Sequence, residues 1–301
     1  MSNILSKIFD FTRRIGENNP WLKKTFLWQS VVCPIYTRVR ALSGNLTFAK
    51  GARAYFKQNA ERVNQVANLF SDQESKKTYI GMINFRQTGK KNYHICHGAH
   101  AQYFINDFFT YGKNEVLIDC GACIGDTIEN FLKLPNMKYE QIVAFEPNTD
   151  NFKILENKFG ANIGGGDGIM LINSGVYSKD CVLYFSGNNL GGHISEVATE
   201  MKDETSVKVC AIDNLPNLKT VTFIKMDIEG AEMEALKGSQ KTILRDKPRL
   251  AISIYHSNED MLRIAEWIHN IVPQYKFYCR MHGEYPTTCD TILYAQIEED
   301  W

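Results

Sequence analysis

The 301-residue sequence has no net charge, no long apolar run and no phosphate-binding P-loop motif. Zero net charge leaves no basic footprint for DNA or RNA, so we expect no nucleic-acid partner. No apolar run reaches the ~18 residues of a spanning helix, and the N-terminus lacks the apolar core of a signal peptide, which predicts a cytoplasmic protein. Without G-x-x-x-x-G-K-[ST], a P-loop for ATP is not expected.

Paired metal-ligand motifs are also lacking, although the chain has eight cysteines and seven histidines. Cys120 and Cys123 form C-x-x-C, but no second such pair exists to complete four zinc ligands. His94, His97 and His100 recur every third residue and would face different sides of a helix without a nearby carboxylate. We therefore predict no metal site in either stretch.

The most informative stretch is residues 115–131, EVLIDCGACIGDTIENF, which has a strand, turn and helix pattern. An apolar run ends in Asp119, and Gly121 and Gly125 bracket a tight turn before a helical pattern begins. Glycines accept positive φ and let a ligand approach the backbone, so we predict a nucleotide-type pocket. Cys123 stands where a dinucleotide motif needs its middle glycine, which disfavours NAD and FAD.

Two segments are predicted along the chain. Residues 1–110 have helical spacing and no nucleotide turn, which indicates a helical cap. The first thirty-odd residues mix aromatic and basic side chains, so this segment either packs into a core or lies on anionic lipid at the inner face of the membrane. Residues 111–301 alternate strand and helix, which predicts an α/β doubly wound sheet with helices on both faces.

Polar residues follow two strands after the glycine turn. Glu146 closes the apolar run 142–145, about 25 residues beyond the first glycine, where a doubly wound fold places the carboxylate that binds ribose hydroxyls. Asn173 and Ser174 follow the next strand, residues 169–172, and are predicted to lie near the nucleobase.

Carboxylates and a histidine follow two later strands. Asp227 and Glu229 come after residues 221–226, and Tyr255 and His256 come after residues 250–254. In a doubly wound sheet the carboxyl ends of these strands are neighbours, so we expect these side chains to lie beside the nucleotide pocket.

At these residues the sequence resembles the FkbM family of S-adenosylmethionine-dependent methyltransferases. The resemblance covers nearly all of residues 113–296 and only loosely reaches the N-terminal segment. One position departs from it, because Tyr255 stands where many members have a glutamate. The matching stretches are VLIDCGACIGDT (116–127), AFEPN (144–148), FIKMDIEGAEMEALKG (223–238), PRLAISIYH (248–256) and CRMHGEYPTTCDTILYA (279–295).

The resemblance implies the Rossmann-like class I methyltransferase fold, a seven-stranded sheet whose last strands form an antiparallel hairpin. It also implies S-adenosylmethionine as cofactor, with its ribose on Glu146. The predicted cofactor-binding residues are Asp119, Gly121, Ala122, Gly125, Asp126, Thr127, Glu146, Pro147, Asn173, Ser174 and Asp227.

The predicted catalytic residues are His256, Asp227 and Glu229. A base must remove the hydroxyl proton, and the imidazole of His256 suits this role because it titrates near neutral pH. Asp227 or Glu229 could orient the imidazole or hold the substrate. The two carboxylates could also share a divalent cation with the acceptor. The family implies O-methylation of a sugar hydroxyl or related group of a glycan or secondary metabolite. The alternatives are N-methylation and a cofactor-binding scaffold protein without transfer activity. The oligomeric state is not predicted.

Overall fold

The computed structural model describes residues 51–98, 102–160, 168–188, 191–195, 205–285 and 287–297. The chain divides into two compact units. The first comprises residues 1–98 and 279–291, and the second comprises residues 99–278 and 292–301. The aromatic and basic segment proposed to touch lipid lies in residues 1–50, outside the described residues, so the cap boundary at residue 110 and the membrane contact stay predictions. Within the described ranges, no helix has the length and apolarity that crossing a membrane requires.

The described part of the first unit begins with three helices. Asp72 caps the third helix, since its side chain accepts a hydrogen bond from the backbone N–H of Ser75, and Gly89 ends it at φ 65°. Phe56, Val66 and Met82 are fully or almost fully buried, so each of the three helices contributes an apolar side chain to the core of this unit. The helices are α1 (Ala52–Gln58), α2 (Ala60–Leu69) and α3 (Gln73–Thr88), followed by a 3-10 turn at Lys91–Tyr93.

The histidines of the first unit hydrogen-bond to protein groups. His94 Nε2 lies 2.9 Å from the carbonyl oxygen of Thr287, and His97 Nε2 lies 3.0 Å from Glu74 Oε1. His100 lies outside the described residues. His94 and His97 therefore have separate partners.

The second unit is built on an α/β sheet of seven strands in the order β10-β11-β9-β8-β1-β2-β3. Strands β3, β2, β1, β8 and β9 are parallel, and β11 runs antiparallel to β9. The predicted doubly wound class I methyltransferase sheet with an antiparallel last hairpin is thereby confirmed. The strands are β1 (Glu115–Cys120), β2 (Tyr139–Phe145), β3 (Ile169–Ile172), β8 (Phe223–Met226), β9 (Arg249–Ser253), β10 (Lys276–Met281) and β11 (Thr291–Gln296).

Helices connect the parallel strands of this sheet. Asn148 caps the helix after β2, because its side chain accepts hydrogen bonds from the backbone N–H groups of Asp150 and Asn151. The helices are α4 (Asp126–Leu132), α5 (Thr149–Phe159), α6 (Glu232–Lys237), α7 (Gln240–Asp246) and α8 (Asp260–Ile271).

A smaller sheet is inserted between β3 and β8. Its order is β4-β7-β5-β6, and β5 pairs antiparallel with both β6 and β7. Its strands are β4 (Gly175–Val176), β5 (Cys181–Asn188), β6 (Gly191–Ser195) and β7 (Thr205–Cys210).

The core of the second unit lies under the central strands. Every residue of β1 and β8 is buried, because a parallel sheet is covered on both faces. The rings of Phe104 and Phe109 pack on Phe223 with centroids 5.3 and 5.5 Å apart. The central strands are thus fixed, and so are the residues at their carboxyl ends.

Candidate active site

The turn after β1 has the predicted backbone conformation, but the protein itself explains its glycines. Gly121 has φ 83° and Gly125 has φ 87°. A Cβ atom on Gly121 would lie 2.1 Å from the carbonyl oxygen of Asp227, and one on Gly125 would lie 2.5 Å from Phe159 Cε2. Close packing against Asp227 and against α5 therefore requires glycine at both positions, and the close approach of a ligand to this turn stays a prediction.

Glu146 joins the end of β2 to this turn. It is 5% exposed, and its Oε2 accepts a hydrogen bond from the backbone N–H of Cys123 at 2.9 Å. Its Oε1 accepts one from the backbone N–H of Asn148 at 2.8 Å. Burial raises the pKa of this carboxyl, against the lowering effect of the two N–H groups. Each oxygen has a second lone pair, so the carboxylate can still accept two hydroxyl groups.

A cleft of about 600 Å³ adjoins the ends of β2 and β3. Asn173 lines it and donates a hydrogen bond to the carbonyl oxygen of Glu146 at 2.8 Å. Ser174 is buried, and its hydroxyl donates toward the carbonyl oxygens of Gly175 and Lys208. Asn173 therefore borders open space, whereas Ser174 is bound to the inserted sheet. The cleft is lined by Pro147, Asn148, Thr149, Asp150, Asn173, Ser206, Val207 and Lys208.

Asp119 at the end of β1 is fully buried and faces a lysine. Its Oδ1 lies 2.9 Å from Nζ of Lys225, which is only 2% exposed and is its register partner on β8. Burial raises the pKa of Asp119. Burial alone would lower the pKa of Lys225, but Asp119 and Asp227 raise it. The contact between Asp119 and a cofactor stays a prediction, since the structure gives this carboxylate a protein partner.

Asp227, which follows β8, is held by two tyrosines. Tyr103 donates its hydroxyl to Oδ2 at 2.7 Å, and Tyr255 donates its hydroxyl to Oδ1 at 3.0 Å. The ring of Tyr255 also lies against that of His256, with centroids 4.1 Å apart. Tyr255, the residue that departs from the family pattern, is therefore part of this site.

His256 lies among three carboxylates. Its Nδ1 is 3.0 Å from Oε1 of the fully buried Glu232, and its Nε2 is 3.5 Å from both Asp227 Oδ1 and Glu229 Oε2. Glu229 has a left-handed backbone with φ 59°, which a non-glycine residue adopts only when its surroundings impose it. The structure thus brings together the three predicted catalytic residues and adds Glu232.

The charge of this cluster determines the state of its histidine. Burial alone would lower the pKa of His256, but Glu232, Glu229 and Asp227 outweigh it and raise the pKa to about 11. At neutral pH the ring is therefore an imidazolium that faces Glu232 from Nδ1 and the other two carboxylates from Nε2. Before it can act as a base, its proton must pass to one of these neighbours.

The remaining predicted residues lie around the same turn. The backbone N–H of Ala122 donates to the carbonyl oxygen of Phe145, and Thr127 is buried in the first turn of α4 beside the exposed Asp126. Their contacts with a cofactor stay predictions. Sequence reasoning missed Tyr103, Lys225 and Glu232, although KMDIEGAE contains the last two.

Three comparisons place the chain among known proteins. The sequence profile of the methyltransferase FkbM domain matches residues 119–277. The crystal structure of methyltransferase FkbM from Methylobacillus flagellatus KT has a TM-score of 0.69 and 27% identity, covering 81% of this chain and 60% of that chain. Methyltransferase 1 of Beauveria bassiana (strain ARSEF 2860) is 27% identical over 166 residues, which are 46% of this chain and 65% of that protein. This chain therefore spans less than two thirds of either relative.

Proposed function

The chain belongs to the methyltransferase FkbM domain family, and we propose that it transfers the methyl group of S-adenosylmethionine to a hydroxyl of a sugar or related group on a glycan or secondary metabolite. The observation that carries this proposal is Glu146, whose carboxylate accepts the backbone N–H of Cys123 in the glycine turn and that of Asn148 after β2. When bound, S-adenosylmethionine supplies an electrophilic methyl group.

The cofactor side of the proposal is built on the ends of β1, β2 and β3. The two oxygens of Glu146 accept the ribose hydroxyls, and the backbone of the glycine turn borders the rest of the cofactor. Asn173, which lines the adjoining cleft, faces the nucleobase. These residues would bind and orient the cofactor beside the ends of β8 and β9.

The acceptor side is built on those two strand ends. Asp227 and Glu229 accept hydrogen bonds from the acceptor. The hydroxyl proton passes to one of these carboxylates, or to His256 once its ring has released its own proton to a neighbouring carboxylate. Glu232 orients the imidazole through Nδ1. Positioning supplies most of the acceleration, because an in-line displacement needs the acceptor oxygen about 3 Å from the methyl carbon.

Labelled methyl incorporation tests the proposal. The wild-type protein is incubated with S-adenosylmethionine and a panel of sugar and glycan acceptors, and His256→Ala should lower turnover by about 10²–10⁴-fold. His269→Ala is the matched control, because His269 lies on α8 and packs on Phe277 away from the cluster. Transfer to amines alone would favour N-methylation. Cofactor binding without transfer to any acceptor would favour a scaffold.

A divalent cation is a second candidate component of this site. Asp227, Glu232 and His256 each place one ligand atom within 4.8 Å of the others, and carboxylate oxygens are suitable ligands for a hard cation. Turnover after dialysis against a chelator, with and without added Mg²⁺ or Mn²⁺, tests this component. Full activity in the chelator would exclude it. Cytoplasmic location and peripheral membrane contact stay predictions.

A further inference from the structure

Lys225 is a buried charge in the middle of the site that the proposed chemistry does not use. It is 2% exposed and pairs with a carboxylate that is completely buried. Burying two charges costs desolvation that their attraction repays only with good geometry, so such a pair is weak evidence of a stabilising role. The hydrogen bonds that Lys225 makes besides this ion pair show which backbone groups it positions.

Three oxygen atoms lie within 3.2 Å of the ammonium nitrogen of Lys225. Besides Asp119 Oδ1, Nζ donates to the carbonyl oxygen of Gly121 at 2.7 Å and to that of Cys120 at 3.2 Å. These two carbonyls begin the glycine turn. Lys225 therefore positions both the backbone of the glycine turn and the side chain of Asp119.

The same ammonium also supports the acceptor side. It lies 5.2 Å from the ring centroid of Tyr103, a distance at which a cation is attracted to an aromatic face. The hydroxyl of Tyr103 in turn donates to Asp227 at 2.7 Å. The ammonium group of Lys225 thus contacts the glycine turn directly, and it is linked to Asp227 through the ring and hydroxyl of Tyr103.

We propose that Lys225 is a positioning residue that couples the two halves of the site, holding the glycine turn for the cofactor and Tyr103 for the acceptor carboxylate. This inference rests on the proposed function. In the alternative, Lys225 only neutralises Asp119, and any pair of neutral residues of similar size would serve as well.

A double variant separates the two explanations. Lys225→Met alone leaves Asp119 buried and unpaired and is expected to unfold readily, whereas Asp119→Asn combined with Lys225→Met removes both charges. Affinity for S-adenosylmethionine is measured by calorimetry, and thermal unfolding is measured in parallel. The double variant should fold, yet bind the cofactor at least about 10-fold more weakly than the wild-type protein does, because the charged donor to the turn carbonyls is lost.

Equal affinity of the double variant and the wild-type protein would overturn the inference. If the double variant does not fold, Lys225→Arg replaces it, since arginine keeps the charge and the pairing with Asp119 but has a planar donor geometry. The same loss of affinity is expected, and wild-type affinity would refute the coupling role. A wild-type protein that does not bind S-adenosylmethionine at all would refute the proposed function, and this inference with it.

Discussion

Replacing Glu146 by alanine should abolish most of the affinity for S-adenosylmethionine while leaving the protein folded. The carboxylate follows β2, is 5% exposed and accepts a hydrogen bond from the backbone N–H of Cys123 in the glycine turn. Two ribose hydroxyls bound to an ionised carboxylate contribute about 1.5–3 kcal/mol each. The sum, about 3–6 kcal/mol, corresponds to a dissociation constant raised by about 10²–10⁴-fold.

A second contribution comes from the protein itself. Glu146 accepts the backbone N–H groups of Cys123 and Asn148, and alanine leaves both without that partner. Glu146→Gln keeps one acceptor oxygen and the shape of the side chain but presents an amide N–H₂ to one of these donors. It should therefore weaken binding less than alanine does.

Isothermal calorimetry with S-adenosylmethionine and with its demethylated product measures both effects. Glu129→Gln is the matched control, because Glu129 forms a surface ion pair with Lys158 at 2.8 Å on the outside of α4. Exposed pairs of this kind contribute about 0–1 kcal/mol to stability. A folded Glu146→Ala variant with the wild-type dissociation constant would refute the assignment of Glu146 to the ribose.

Three further substitutions test the geometry around the site and in the first unit. Gly121→Ala should lower the free energy of unfolding by about 2–5 kcal/mol in denaturant titrations, because its Cβ would meet the carbonyl oxygen of Asp227 at a φ of 83°. Tyr103→Phe keeps the ring over the lysine but loses the hydroxyl, so it should raise the KM of the acceptor and leave cofactor affinity unchanged. Asp72→Asn should reduce the loss of unfolding free energy as the pH is lowered, which is the acid limb of a plot of stability against pH. Despite partial burial, hydrogen bonds from Ser75 and Arg280 lower the pKa of Asp72 below 3.8, so its stabilising contribution is present above that pH and is lost as the pH falls through the folded-state value.

Each of these has a clear contrary outcome. Wild-type stability of Gly121→Ala would mean that the turn and Asp227 are not in contact as described. A loss of cofactor affinity in Tyr103→Phe equal to its loss of acceptor affinity would contradict the division of roles. Parallel acid limbs for wild type and Asp72→Asn would show that the Asp72 carboxylate gains nothing on folding.

The central sheet could be predicted because its signal is local. Residues 116–118 and 142–145 are short apolar runs bounded by turn residues, and all seven are buried in β1 and β2. Parallel strands covered on both faces need such runs, so composition, length and the following turn identify them. The carboxyl ends of β2 and β8 then indicated Glu146 and Asp227 by the same rule.

The partners of the site residues could not be predicted, because they depend on contacts between distant parts of the chain. Lys225 interrupts the apolar run of β8, and only its register with β1 shows that it meets Asp119. Tyr103 reaches Asp227 over 124 positions of sequence. Likewise, the carbonyl that accepts from the Ser174 hydroxyl, at Lys208, belongs to an inserted sheet whose pairing no local pattern specifies.

The sequence also could not show which carboxylate orients His256. Asp227 and Glu229 are the nearer carboxylates to the end of β8, yet Nδ1 of the ring faces Glu232, which lies one helical turn further along and is fully buried. Positive φ at Glu229 and Gly230 redirects the chain there, so that the third carboxylate points back to the strand ends. The spacing of these residues in the sequence does not show this change of chain direction.

A crystal structure of the protein with the spent cofactor, S-adenosylhomocysteine, tests the account most directly. We expect both ribose hydroxyls within hydrogen-bond distance of Glu146 and the sulfur atom facing the space between Asp227 and His256. A ligand bound elsewhere, or one whose sulfur faces away from those two side chains, would contradict the assignment of this crevice to methyl transfer.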